Sequence, residues 1–355
     1  MPGSFWNGKR VLVTGHTGFK GAWLALWLSE LGAEVTGYAL PPPTEPSLFV
    51  DADVARGLRS VIGDVRDLDA LTAVLRECQP EVVFHMAAQA LVRASYRDPV
   101  ATYATNVMGT VHLLEAVRQT GSVRAVVNVT SDKCYANTGD RRRFREEDAM
   151  GGSDPYSNSK GCAELVTSAY RASFFAQAGA PALASARAGN VIGGGDWAAD
   201  RLVPDCIRAL GEGGAVRIRN PEAVRPWQFV LEPLSGYLML AERLWSDGAA
   251  CAEGWNFGPD EADARPVSYV ADRVVELWGR DASWTTDGGT HPREAAWLSL
   301  DCTKARERLS WRPAMTLDEA LRWTVRWYRD RADGRDARER TLEQIRRYAE
   351  IRAAM

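Results

Sequence analysis

Two short clusters carry the chemistry of this chain, Ser131-Asp132-Lys133 and Tyr156-Ser157-Asn158-Ser159-Lys160. A tyrosine four residues before a lysine puts both side chains on one face of a helix. Hydride leaves a carbinol carbon only as its hydroxyl loses a proton, and Tyr156 can take that proton. A free phenol, with a pKa of about 10, is a poor base at neutral pH. The charges of Lys160 and of an oxidised nicotinamide ring would lower it. Asp132 and Lys133 add what hydride transfer alone does not need: an acid for a leaving hydroxyl and an amine for an acidified carbon–hydrogen bond. Together the clusters describe oxidation, elimination of water and return of the hydride.

These residues need a dinucleotide-binding frame, and the N-terminal half supplies its signals. Arg10–Thr14 reads as a short, apolar, β-branched buried strand. Gly15-His16-Thr17-Gly18-Phe19-Lys20-Gly21 follows, and Ala22–Leu31 has helical spacing. In that context Gly15 serves the tight turn, Gly18 admits a pyrophosphate and Gly21 lets the helix pack close, with Thr17, Phe19 and Lys20 lining the turn. Further strands are expected at Val35–Tyr38, Arg59–Ile62, Glu81–Met86, Arg124–Thr130 and Pro181–Ala186. Helices are expected at Leu68–Glu77, Val100–Gln119 and Tyr156–Ala178. The alternation predicts an α/β fold, a Rossmann-type doubly wound parallel sheet with ligands at the strand carboxyl ends.

Beyond Gly193-Gly194-Gly195 the pattern loosens into short segments rich in Gly, Pro, Arg and Trp. Helices are expected at Leu231–Leu244 and Ser268–Gly279, and a short strand at Trp255–Phe257. The reading is a Rossmann domain over 1–190 and a smaller mixed α/β substrate lobe over 191–332, partly interleaved with the first. A charged helix follows over 333–355, solvated, docked or in an oligomer contact.

The chain has 355 residues and a formal net charge of −3, which argues for neither nucleic acid nor an anionic membrane. No apolar run is long enough to span a bilayer and no signal peptide is evident, so a cytoplasmic enzyme is expected. The six cysteines are scattered and read as reduced, mostly buried thiols. The four histidines lack metal-ligand spacing, and no metal site is expected. Thirteen tryptophans are read as core packing.

The chain resembles the extended short-chain dehydrogenases/reductases and, within them, the nucleotide-sugar 4,6-dehydratases. The resemblance rests on Gly15–Gly21, Tyr38–Phe49, Thr130–Tyr135, Met150–Tyr156, Arg187–Gly193 and Arg225–Gly236. It implies that Ser131 bonds the sugar 4-hydroxyl beside Tyr156, and that Asp132 protonates the departing 6-hydroxyl. In dTDP- and GDP-sugar relatives the next position is Glu, the base for the C5 proton; here it is Lys133. That departure points to the CDP-sugar branch, with CDP-glucose as substrate, NAD as cofactor, and a homodimer or dimer of dimers built on the two long helices. A solvated lysine, with a pKa of about 10.4, is protonated at neutral pH. Lys133 is read as the C5 base, desolvated or crowded by cations; the alternative keeps it charged, stabilising the enolate.

The remaining site residues follow from position. Asp64 and Val65 are placed near the adenine, and Ala87 and Ala88 on the cofactor side of the fourth strand. Gln89, Asn106, Asn190, Arg201, Arg219, Arg225 and His291 are the candidates for the nucleotide sugar, since a diphosphate wants paired donors and the guanidinium fork suits it. Gly37-Tyr38-Ala39 lacks the acid that holds the ribose of NAD, so NAD is inferred from the resemblance. His16, inside the glycine turn, is expected to crowd the pyrophosphate and weaken cofactor retention. Three alternatives stay open: a nucleotide-sugar 4-epimerase, a dehydratase of another nucleotide sugar, and a non-catalytic dinucleotide sensor.

Overall fold

The structure is a computed structural model, and the residues described are 5–279, 282–289 and 297–355. His291, a candidate for the substrate site, lies outside them. In chain order the first half runs β1 (Arg10–Thr14), α1 (Phe19–Glu30), β2 (Glu34–Ala39), α2 (Leu48–Asp51), β3 (Arg59–Ile62), α3 (Leu68–Cys78), β4 (Val82–His85), α4 (Val92–Arg97), α5 (Pro99–Tyr103), α6 (Gly109–Arg118), β5 (Ala125–Val129), α7 (Pro155–Ser173) and β6 (Ala182–Ala188). The second half runs β7 (Asn190–Ile192), α8 (Leu202–Gly211), β8 (Val216–Ile218), β9 (Val224–Phe229), α9 (Leu231–Asp247), β10 (Gly254–Phe257), β11 (Ala264–Pro266), α10 (Val267–Trp278), β12 (Trp284–Thr286), α11 (Thr303–Arg308), α12 (Leu317–Ala332) and α13 (Ala337–Ala353).

The central sheet has seven parallel strands in the order β10-β6-β5-β4-β1-β2-β3. Successive side chains of a strand point to opposite faces. Here both faces are covered: Val11 and Val13 join the core that holds the α1 and α9 side chains, while Leu12 joins the one formed with α3 and α6. Strands buried on both faces are continuous apolar runs, which is why this half is readable from sequence. The order reverses between β1 and β4, and there the glycine turn meets the end of β4. A Cβ on Gly15 would sit 2.7 Å from the Ala87 nitrogen, and Gly15 holds φ +78.

Three features differ from the sequence expectation. Helix 100–119 is not uniform: Ala104–Met108 forms a π-helical turn between α5 and α6. The helix beginning near Tyr156 ends at Ser173 rather than Ala178, where Phe174 leaves helical geometry. Residues 231–257 return to the central sheet: α9 packs on β5, β6 and α1, and β10 pairs with β6 at the sheet edge. The smaller lobe is what remains, a sheet β11-β9-β7 and a parallel pair β12-β8 with α8 and α10. The charged tail docks as α13. Tyr348 is fully buried, edge-on to Trp27 at 5.7 Å, and its hydroxyl donates to Glu232 Oε2 at 2.8 Å.

Candidate active site

The turn after β1 is built for close approach. A Cβ on Gly21 would lie 2.1 Å from the Gly15 carbonyl oxygen, so α1 can seat on the turn only with glycine there. Gly18 is the N-cap of α1, with no side-chain cap and no acid in the first turn. The first N–H groups and the helix dipole are thus left for an anion. The Thr17 hydroxyl ties the turn to the chain after β2 by donating to the Leu40 carbonyl at 2.8 Å. Phe19 lies beside Gly193. With Ala87 and Ala88 at the end of β4, these residues fit a dinucleotide diphosphate.

At the other end, Asp64 is paired to Arg66 at 2.5 Å, and the Tyr38 hydroxyl donates to the Asp64 carbonyl at 3.0 Å. Val65 is buried against Gly109. The His16 ring turns aside from the expected crowding of the pyrophosphate. It is buried, stands edge-on to Phe49, and shares a 2.7 Å hydrogen bond with the Ser60 hydroxyl. It occupies the space a side chain on Gly37 would need, since a Cβ there would be 2.3 Å from the ring. Burial pushes its pKa down to about 4, so the ring is neutral.

The Ser131–Lys133 and Tyr156–Lys160 clusters meet where β5 ends and α7 begins. Asp154 caps α7 by accepting from the Ser157 amide at 2.9 Å, and Pro155 occupies the first turn, so the sequence Asp-Pro-Tyr starts this helix with Tyr156 on it. The Tyr156 amide donates to the Ser95 hydroxyl at 3.1 Å. One turn on, the Lys160 ammonium donates to the carbonyl of Val129, the last residue of β5, at 3.3 Å. Asp132 and Lys133 sit in a single 3-10 turn just after β5. Ser131, Asp132, Tyr156 and Lys160 are all buried; Lys133 is half-buried.

Burial governs the charges here. It pushes Tyr156 up to about 12, against Ser131, which pulls the phenol down. It pushes Lys160 down to about 8. Lys160 alone therefore does not draw the phenol down as the sequence suggests. Burial also raises the Asp132 carboxyl, against the charge of Lys133, the Ser131 bond and the charges of Arg225 and Lys20. Among the described residues Asp132 Oδ2 has no hydrogen-bond partner, which suits a carboxyl held ready as an acid.

Lys20, placed by its motif among the turn residues, reaches into this cluster. Its ammonium donates to the buried Tyr237 hydroxyl at 3.2 Å. Burial, then the charges of Lys160 and Arg201, push it down to about 7. Tyr237 was not expected: within Leu-Ser-Gly-Tyr-Leu-Met-Leu it reads as core, and a lone hydroxyl in an apolar helix was its sole signal.

The substrate candidates divide. Asn106 is buried in the π-helical turn and commits its amide to the protein, accepting from the Gln89 amide at 2.8 Å and donating to the Gln89 carbonyl at 3.0 Å and to Ser159 Oγ at 2.9 Å. Gln89 likewise donates to Thr102 and accepts from the Leu91 amide. The two lock the loop after β4 to the catalytic helix. An i→i+5 turn inserts an extra residue, which places Asn106 there and which apolar spacing does not announce. Asn190 stands on β7 opposite Trp227. Arg201 pairs with Asp196 at 2.9 Å and Arg219 with Asp200 at 2.9 Å, where Arg93, unremarked in the sequence, also bonds. Arg225 is buried and lies in the field of Asp132.

The chain is also similar to known nucleotide-sugar enzymes. A family model described as GDP-mannose 4,6 dehydratase matches residues 12–324. The chain is 57% identical over 337 residues to the CDP-glucose 4,6-dehydratase of Salmonella typhimurium strain LT2, covering 94% of each. The UDP-glucose 4-epimerase of Thermus thermophilus, solved with NAD, superposes with a TM-score of 0.78 at 26% identity, over 90% of this chain and 99% of that one. The dTDP-glucose 4,6-dehydratase of Bacillus anthracis str. Ames, also solved with NAD, shares the fold with a TM-score of 0.76 at 23% identity, over 92% and 98%.

Proposed function

Since the chain belongs to the GDP-mannose 4,6 dehydratase family, we propose that it converts CDP-glucose to CDP-4-keto-6-deoxyglucose and water with NAD as a catalytic cofactor. The observation that carries this reading is the buried Asp132 carboxyl, raised and with one oxygen unpartnered among the described residues, beside Lys133 and bonded to Ser131, next to which Tyr156 stands. An epimerase has no use for that acid.

The turn Gly15–Gly21 with Ala87 and Ala88 would hold the cofactor diphosphate, and Asp64 and Val65 would face its adenine. NAD held there would supply the hydride acceptor for C4 and the hydride donor for C6. Tyr156 takes the proton of the sugar 4-hydroxyl, with Ser131 bonding the same oxygen. The 4-ketone acidifies C5. Asp132 then protonates the leaving 6-hydroxyl while Lys133 takes the C5 proton, which it later restores. A general acid or base of this kind contributes about 10²–10⁴-fold. The second role for Lys133, a fixed charge beside the enolate, predicts a Lys133→Arg variant with substantial activity; the base role predicts an inactive one.

The smaller lobe of β7, β8, β9, β11 and β12 with α8 and α10 supplies the nucleotide-sugar site in this reading, with Arg201, Arg219 and Arg225 for the diphosphate. Six free thiols suit a reducing cytoplasm. Among the described residues no helix is long and apolar enough to cross a membrane. Val100, Met108 and Leu165 are exposed apolar side chains on the helical run 99–118 and on α7, and pairing of these helices with their copies gives the homodimer.

The test is an NAD-supplemented assay with CDP-glucose beside dTDP-glucose and GDP-mannose. Loss of one water from CDP-glucose alone, without net NADH, is expected. Product from another nucleotide sugar would overturn the substrate; a new epimer of unchanged mass would overturn the reaction.

A further inference from the structure

The dehydratase reaction leaves the protein with an imbalance of protons. Tyr156 accepts a proton from the 4-hydroxyl and, because the product remains a 4-ketone, never gives it back to the sugar. Asp132 gives a proton to the departing water. Lys133 ends as it began. After one turnover Tyr156 therefore carries a proton too many and Asp132 lacks one. An epimerase, which re-reduces its ketone, has no such mismatch.

The structure places one hydroxyl between the two groups. Ser131 Oγ donates to Asp132 Oδ1 at 3.1 Å, and it accepts from the Lys133 amide at 3.2 Å. It also stands beside the Tyr156 phenol, close enough to pull its pKa down against burial. A serine hydroxyl has one donor and two acceptor positions. With its proton on Asp132 and one lone pair on Lys133 N–H, the remaining lone pair is free to accept from the phenol. This polarity runs from Tyr156 towards Asp132. The three side chains are 8%, 6% and 2% exposed in the order Tyr156, Ser131, Asp132. A Cβ on Gly189 would come within 2.9 Å of Asp132 Oδ2, so the carboxylate is walled by backbone as well. Bulk water is a poor route between groups so enclosed.

We propose that Ser131 resets the site after each turnover, passing the surplus proton of Tyr156 to Asp132. In this step the Tyr156 O–H bond breaks as a new O–H bond forms on Ser131 Oγ. The original Ser131 O–H bond breaks as one forms on Asp132 Oδ1. Phenolate and carboxylic acid are regenerated, Ser131 is unchanged, and no external acid or base is consumed. The inference rests on the dehydratase reading.

The test compares single turnover, enzyme in excess, with steady-state turnover on CDP-glucose for the wild type, Ser131→Ala and Ser131→Thr. Loss of the Ser131 hydroxyl slows the first turnover through the 4-hydroxyl, so the informative quantity is the ratio of steady-state to single-turnover rate. That ratio is expected to fall tenfold or more in Ser131→Ala, with a burst of one product per site. Imidazole or acetate should raise the steady-state rate alone, and Ser131→Thr should keep the wild-type ratio. Equal slowing of both phases in Ser131→Ala, or no rescue by a diffusible acid, overturns the relay. If Ser131→Ala does not fold, the wild type decides. A pH-indicator trace of a single turnover should show no transient proton release, and a transient of up to one proton per site overturns the relay. A wild type that makes no product even in single turnover sinks the dehydratase reading itself, an outcome distinct from any of these.

Discussion

One strand end and one helix hold two carboxylates that meet opposite treatment. Glu164, on α7, is buried and fully answered. Arg187 grips it with two bonds at 2.9 and 2.8 Å, Thr130 donates at 2.5 Å and Ser185 at 2.6 Å. Arg187 in turn donates to the Tyr135 hydroxyl and the Glu146 carbonyl, and Tyr135 donates to Asn256. Burial pushes Glu164 up, but Arg187 and these donors hold it below the ordinary carboxylate range. Asp132, two residues after Thr130, is as deeply buried, keeps an oxygen without a partner among the described residues and is pushed up. A closed network fixes geometry; an open one keeps a group reactive. The two meet along the chain: Thr130, two residues before Asp132, donates to Glu164, and Glu164 lies one turn from Lys160.

The contrast is broken most severely at its reactive end. Asp132→Asn should lower turnover by about 10²–10⁴-fold, while C4 oxidation persists and the near-ultraviolet absorbance of reduced nicotinamide accumulates. Because desolvation of the Asp132 carboxyl opposes folding, the same variant should unfold at a slightly higher temperature at neutral pH. A loss of turnover that merely tracks a loss of folding would undo the comparison.

At the satisfied end, Arg187→Met should cost about 3–5 kcal/mol in denaturant unfolding, because it strands a buried charge. Adding Glu164→Leu should restore much of that stability without restoring full activity. A double variant as unstable as the single one would mean that packing, not charge, dominates there.

The opposite shifts give opposite pH signs. Glu164, held low, stabilises above its ordinary pKa, and this is lost as pH falls through the folded value. Asp132, held high, favours the fold while protonated, and this is lost as pH rises through its folded value. In the proposed mechanism Asp132 works protonated and Lys160, pushed down to about 8, works charged. The rate should fall as pH climbs past about 8, and a flat alkaline limb would remove both roles.

The smallest effect is expected at the surface. Arg59 and Glu77 meet at 2.5 Å, as short as any bond around Glu164, yet both are solvated. Arg59→Ala should leave the unfolding midpoint unchanged within error, since exposed pairs contribute little. A clear drop would show that distance rather than enclosure sets the energetics.

Much of this was legible in the chain. Strands β1, β4 and β5 are largely apolar runs because helices cover both faces, and the Asp154-Pro155 start of α7 announces itself. The glycine turn could be assigned role by role: the positive φ of Gly15 and the contact of Gly21 with the Gly15 carbonyl are what its spacing implied. Less was legible in 231–257, because a helix and strand that join the sheet from far along the chain look locally like any others. His16 was misplaced for the same reason: its pocket exists because residue 37, a strand away, is glycine.

By itself the sequence determined the order of strands and helices, the phosphate-binding turn, and the presence of a tyrosine, a lysine, an acid and an amine. Each of these is local, written in periodicity, capping and spacing. Only the tertiary structure decided which polar atoms are left over. That among the described residues Asp132 keeps an open oxygen while Glu164 keeps none, that Lys20 reaches Tyr237, and that Asn106 bonds to α7 all depend on which distant groups arrive beside them. Hydrogen bonding and desolvation in a low-dielectric interior are properties of that meeting, and no single segment contains them.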